Sequence, residues 1–313
     1  MVTHLVLHDR QVSVLDSVIS SVGANHTSFV GLTLSDSRST TAAFSNVDSV
    51  VVANCTVRNS GGGGHCLEVS GVNFSVLDSR VSGCAGGGVS AEGGDARTLT
   101  RSNITIRGNT MANFSRLVRT YRAGLNFGGV GLYVANNSIF HAPHAGLTGG
   151  GSFHLFEFNT LSHVVYESID AGAFYVGRSF AQRGNVVRFN TFDTIRPTER
   201  LAQASCSQNA FYLDDMMSGY EFYGNLIRNA TVGILIGGGR HNHVHSNHFE
   251  ACDNDIHFDD RGLNWMAKSC QRDCAVRMGT TTTSCLYNAL RDMNYTAPPW
   301  STTFPEVTNR CGT

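Results

Sequence analysis

The feature that most constrains this chain is internal repetition. When the segments VVANCTV, FSVLDSRV, ITIRGNTM, LYVANNSI, LFEFNTL, VVRFNTF, EFYGNLI and HVHSNHF are laid over one another, one apolar residue recurs in register. These residues are Val57, Val81, Met111, Ile139, Leu161, Phe192, Ile227 and Phe249. Their spacings are 24, 30, 28, 22, 31, 35 and 22 residues, and Leu34 extends the series one unit towards the N-terminus. A base unit near 22 residues with insertions in some copies indicates a solenoid, in which each repeat buries its apolar face against its neighbours. Within each unit apolar and polar residues alternate with period 2, the period of a strand. Asn109, Asn137, Asn159, Asn190, Asn225 and Asn247 hold one recurring corner, where stacked amides can bond one another and the turn backbone.

A unit of this length accommodates short strands separated by turns, each strand pairing with its counterparts ~4.8 Å above and below. A leucine-rich repeat of similar length would need an L-x-x-L-x-L skeleton and helical runs, and neither precedes residue 266. The sequence therefore predicts an all-β fold, a single-stranded right-handed parallel β-helix over residues 1–261. Residues 262–313 are expected to form a partly helical, cysteine-containing C-terminal cap or tail packed on it. The 34 glycines and 5 prolines agree, because glycine serves tight turns whereas proline removes a ladder donor.

A second strand per unit aligns as HAGLTGGGS, DAGAFYVGR, QNAFYLDDM, VGILIGGGR and NDIHFDDRG. In this register Leu147, Ala173, Phe211, Ile234 and Ile256 form one inward column, and Gly149, Tyr175, Leu213, Ile236 and Phe258 another. The alternating residues then face outward: Thr148, Phe174, Tyr212, Leu235 and His257, followed by Gly150, Val176, Asp214, Gly237 and Asp259.

That outward face carries the candidate chemistry. Asp214-Asp215 and Asp259-Asp260 fall at the same point of coils two apart, and the coil between them presents Gly237-Gly238-Gly239 as a notch. Two ladder steps separate Asp214 and Asp259 by roughly 9 to 10 Å, near the upper end of the carboxylate spacing of inverting glycosidases. Glu167, Asp170, Tyr175, Arg178, Tyr212, Arg240, His241, His257 and Arg261 gather around the notch. Crowding is expected to raise the pKa of one carboxyl group so that it can protonate a glycosidic oxygen, while a second activates water or attacks carbon. Arginines and tyrosines would hold the sugar. Two other readings use the same residues: turn caps paired with Arg178 and Arg261, or hard oxygen ligands for calcium. His154, His163, His243, His245 and His248 are expected to be stacked or exposed instead.

A net charge of −1 leaves no basic field for nucleic acid, and the absence of an 18-residue apolar run leaves no inserted helix. Nine cysteines without CxxC pairing argue against zinc and, with eight Asn-x-Ser/Thr tripeptides, suggest a disulfide-containing secreted glycoprotein. The chain begins without a signal-peptide pattern. Of 23 basic residues, Lys268 is the one lysine.

The ordered motifs DAGAFYVGR, FYLDDMMSG, ILIGGGRHNHVHSNHFEAC and IHFDDRGLNW resemble those of the right-handed β-helix superfamily that includes pectate lyases. More closely, they look like glycoside hydrolases of family 141. The resemblance covers roughly residues 45 to 307 and is most specific from Glu167 to Trp265. It implies an extracellular glycosidase acting on a polysaccharide or oligosaccharide, with Asp170, Asp214 and Asp215 lining its groove. The four candidate catalytic residues are thus Asp170, Asp214, Asp215 and Asp259, with Glu167, Tyr175, Arg178, Tyr212, Arg240, His241, His257, Asp260 and Arg261 binding substrate. No cofactor motif is present. A polygalacturonase would need NTD, GHG and RIK segments, which are missing, and a lyase with a lysine base is hard to build when Lys268 lies beyond the coils. The alternatives are a non-catalytic glycan-binding or surface-structural β-helix and a polysaccharide lyase that uses arginine and calcium.

Overall fold

The computed structural model describes residues 13–198, 208–271 and 285–308. The chain is a right-handed parallel β-helix. Every pair of named strands is parallel, and in the middle of the stack each coil contributes three strands, as in Ala171–Gly177, Asn185–Arg188 and Thr191–Ile195. The next coil repeats them as Gln208–Asp214, Tyr220–Tyr223 and Leu226–Ala230. Leu34, Val57, Val81, Met111, Ile139, Leu161, Phe192, Ile227 and Phe249 are successive partners in one nine-stranded sheet. The apolar register expected from the repeat is therefore the pairing register. One buried face is the reason: a one-residue slip would turn every apolar side chain out to water.

The asparagine corner has a backbone explanation. Positions 54, 78, 108, 136, 158, 189, 224 and 246 all adopt positive φ, between 47° and 73°, and turn the chain sharply between two strands. The residue that follows, Asn in six coils, points its amide along the stack. Asn109 Nδ2 donates to Asn137 Oδ1 at 3.0 Å, Asn137 to Asn159 at 2.9 Å, Asn159 to Asn190 at 2.9 Å, Asn190 to Asn225 at 3.0 Å and Asn225 to Asn247 at 3.0 Å. Each Oδ1 also accepts the backbone N–H of the asparagine before it. Donors at a bend that no sheet could reach are thereby satisfied inside the protein.

Left-handed backbone also holds seven of the eight acceptor asparagines, Asn25 lying in a strand instead. Asn54, Asn73, Asn103, Asn113, Asn136, Asn229 and Asn294 have φ between 50° and 54°. Asparagine tolerates that region better than other side chains, and a β-favouring Ser or Thr two residues on opens the next strand at Thr56, Ser75, Thr105 and Ser138.

Three expectations need correction. In the strand that carries DAGAFYVG the register is shifted by one residue, so that Leu147 pairs with Phe174 and Phe174 with Phe211. Phe174 and Val176 point inward, and Tyr175 faces the groove beside Tyr212. The shared Ala-Gly of HAG and DAG had suggested a false alignment across an inserted residue. At the last strand, Asn254–Phe258, the inward residues Ile256 and Phe258 are 38% and 71% exposed, because no described coil lies beneath them. His154, expected to be stacked or exposed, is fully buried: its Nδ1 accepts from Leu132 N–H at 3.1 Å and its Nε2 faces Gly150 O at 3.1 Å, a second corner analogous to the asparagine one.

A disulfide, Cys66–Cys84, ties neighbouring coils together, and Cys285 is disulfide-bonded as well. Cys55, Cys252 and Cys270 are free thiols, while Cys206, Cys274 and Cys311 lie outside the described residues. The three short helices Leu286–Asp292, Trp300–Thr303 and Pro305–Thr308 lie along the flank of the stack. Leu286, Leu290, Trp300 and Val307 pack in one cluster with Phe180 and Met216, Phe304 stacks on Phe153 at 5.2 Å, and Trp300 Nε1 donates to Ala96 O at 2.8 Å.

Candidate functional site

The outward face of the strands at residues 171–177, 208–214 and 232–236 forms one wall of a groove. Parallel pairing places Tyr175 beside Tyr212 and Gly177 beside Asp214. The two tyrosine rings are 5.3 Å apart, and each hydroxyl reaches an acid: Tyr175 donates to Asp214 at 2.8 Å, Tyr212 to Asp170 at 2.9 Å. Burial, followed in Tyr175 by the charge of Asp214, raises the pKa of both phenols, so they stay protonated donors at neutral pH.

Arg261 joins the acids. Its Nη1 donates to Asp214 and, at 2.8 Å, to Asp215, while Nε and Nη2 donate to Asp259 at 2.9 Å and 2.6 Å. Burial alone would disfavour this cation, yet its bonds to Asp259, Tyr212 and Asp214 outweigh that and raise its pKa. Asp259 is correspondingly held below the usual carboxylate range by its hydrogen bonds to Arg261. Arg178, largely exposed at the rim, donates from Nε to Asp215, which raises its own pKa.

Apart from Asp259, these groups line a cavity of about 390 Å³ that also includes Tyr121 and Trp265. A second space of about 260 Å³, bordered by Thr148, Gly149 and Val176, shares Tyr175, Arg178 and Asp214 with it and lengthens the groove. Tyr121 belongs to the insertion between Met111 and Ile139, and Trp265 lies 5.7 Å from the Arg261 guanidinium. The sequence reading passed over both, although the 28-residue spacing of that unit marked an insertion and the Trp stands four residues beyond Arg261.

Of the expected site residues, Asp170, Asp214, Asp215, Tyr175, Arg178, Tyr212 and Arg261 meet in this groove, with Asp259 attached through Arg261. The others do not. Glu167 pairs with Arg119 at the surface. Asp260 accepts from Asn264 at 2.7 Å, and His257 is exposed on the last strand. Arg240 donates to Tyr287 at 2.8 Å and sits 4.6 Å over Phe180, so it fastens the helical tail. His241 borders a separate space of about 530 Å³ beside Glu221 and Glu306, with its pKa lowered by burial.

The expected notch is occupied. Gly237 does leave room between Asp214 and Asp259, but the Arg261 guanidinium fills it: a Cβ there would stand 2.7 Å from its Cζ. Carboxylates crowding one another across the notch were expected to raise a pKa, but the alternative pairing with Arg178 and Arg261 is what the side chains make. With Arg261 in that place, Asp214, Asp215 and Asp259 share one guanidinium as their partner. Among the described residues no group of three or more His, Cys, Asp or Glu is arranged to hold a metal. Positive φ at Asp170, Arg178 and Asp215 is shared with turns throughout the solenoid and does not mark the groove.

No family model matches this chain, and no curated protein matches it in sequence. The resemblance to family 141 glycoside hydrolases therefore has no family match behind it. Two solved structures of the surface adhesin PfbA from Streptococcus pneumoniae are similar to it. One is 13% identical with a TM-score of 0.39, covering 71% of this chain and 69% of that one. The other is 13% identical with a TM-score of 0.36 and covers 72% of each. At that level of similarity neither says what this chain binds.

Proposed function

We propose that the protein binds a glycan in this groove, outside the cell, without cleaving it. The observation that carries the reading is the seating of Arg261 among Asp214, Asp215 and Asp259. A general acid needs a proton at the working pH, whereas Arg261 holds Asp259 below the usual carboxylate range and fills the gap between Asp214 and Asp259 that a reacting group would need. What remains suits recognition: fixed donors and acceptors in a concave site, flanked by the exposed rings of Tyr121 and Trp265, present a polar edge and flat apolar faces to a sugar. The Cys66–Cys84 disulfide supports an oxidising compartment. Glycan-array binding followed by a reducing-end assay on the bound oligosaccharides tests the proposal. Retention without new reducing ends is expected, and release of sugars would overturn it.

A second reading, hydrolysis, is favoured by Asp170, an exposed acid that shares the cavity with Asp214 and Asp215. It requires reducing ends to appear with the parent protein and to vanish with Asp170→Asn.

A further inference from the structure

We infer that the ligand of this groove carries a cationic amino group, as a deacetylated amino sugar does, and that Asp170 is its counter-ion. The inference rests on the glycan-binding reading and narrows it to a substrate class. It starts from charge. Asp170, Asp214 and Asp215 face the cavity against Arg178 and Arg261, and Asp259 draws on the same Arg261. Both guanidinium groups are engaged by Asp214, Asp215 and Asp259, which leaves Asp170, among the described residues, with the hydroxyl of Tyr212 and no cation.

Acids elsewhere on the solenoid surface fall into two groups: Asp36, Asp48 and Asp260 bond serine or asparagine side chains on open, convex surface, and others have an arginine. Glu157 has Arg188, Asp193 has Arg228, Asp253 has Arg196 and Glu167 has Arg119. Asp170 differs from both groups in its place: it lines a concave site whose described residues carry three carboxylates against two guanidinium groups, which attracts a cationic ligand and repels a uronate.

The walls fit the same group. Tyr121 and Trp265 are 64% and 62% exposed beside the Tyr175–Tyr212 pair, and aromatic faces attract ammonium groups. His144 packs behind Tyr121 at 4.9 Å and Tyr175 at 6.4 Å, and burial lowers its pKa to about 4, so it brings no positive charge to the site at neutral pH.

Titration calorimetry with a glucosamine tetramer, the N-acetylglucosamine tetramer of the same linkage and a galacturonate tetramer tests this. The amine is expected to bind ~10-fold more tightly than its acetylated counterpart, from one ion pair and one ring contact, with the uronate weakest. Asp170→Asn should bring the first two affinities together, and Tyr121→Ala should reduce the gap. Equal affinities, a preference for the uronate, or a preference that survives Asp170→Asn would overturn the inference and leave glycan binding standing. So would binding confined to other glycans on the array. Failure of every glycan to bind would remove the broader reading and this inference with it.

Discussion

Arg261 occupies the volume that a side chain at Gly237 would need, its Cζ lying 2.7 Å from the position of a Cβ on that glycine. The parallel ladder puts Asp214 and Asp259 two strands apart on one face, with Gly237 between them. An arginine two residues beyond Asp259 can then fold back across the gap and bond acids from both coils. The glycine makes a socket for a cation.

Gly237→Ala should therefore displace Arg261 and destabilise the protein by about 1–3 kcal/mol, the usual cost of overpacking. Arg261→Met should cost about 3–5 kcal/mol, because it leaves buried carboxylates short of their partner. Urea denaturation measures both, and an unchanged midpoint in either variant would show that the socket is not formed.

Asn159→Ala should cost about 3 kcal/mol in the same assay. It removes the acceptor for the Asn137 backbone and side-chain donors, and the donor to Val134 O and Asn190 Oδ1, at a site that is 1% exposed. A surface asparagine outside the left-handed turns, such as Asn254, substituted in parallel, should change the midpoint little.

Acid should destabilise the fold well before the carboxylates titrate. Burial lowers the pKa of His144 and His154 from 6.5 to about 4. Between those values the unfolded chain binds protons that the native one does not, so stability falls as pH drops from 6.5 towards 4, by on the order of 3 kcal/mol per histidine. Denaturation midpoints across this range, together with NMR titration of the two imidazoles, check the sign. A flat profile would contradict it.

Trp265→Ala is expected to weaken glycan binding ~10-fold while leaving the denaturation midpoint within ~0.5 kcal/mol of the parent, since the ring is largely exposed. Calorimetry on the best array ligand, paired with urea denaturation, separates the two effects.

The coils were legible in the sequence because their signal is local and repeated. Val57, Val81 and Met111 recur at one turn offset, and the asparagine that follows a left-handed residue identifies the corner in coil after coil. The groove was legible in part: Asp214 and Tyr212 sit on a strand whose alternation sends them outward. The single misplaced strand, at Ala173, came from an inserted residue that a short Ala-Gly match concealed. Two of the site residues that fell elsewhere, Arg240 and His241, follow the strand into a turn, where period-2 alternation no longer says which way a side chain points.

By itself, then, the sequence determined the stacking of the chain and its register, because a buried apolar face and bends that few residues tolerate leave one arrangement open. Only the tertiary structure decided what fills the space between the acids and where the helical tail lies. Those outcomes depend on the reach of individual side chains across residues far apart in the chain, as Arg261 and Asp214 are at a separation of 47. A long, flexible arginine can satisfy several carboxylates or none, and no pattern in its neighbours announces which.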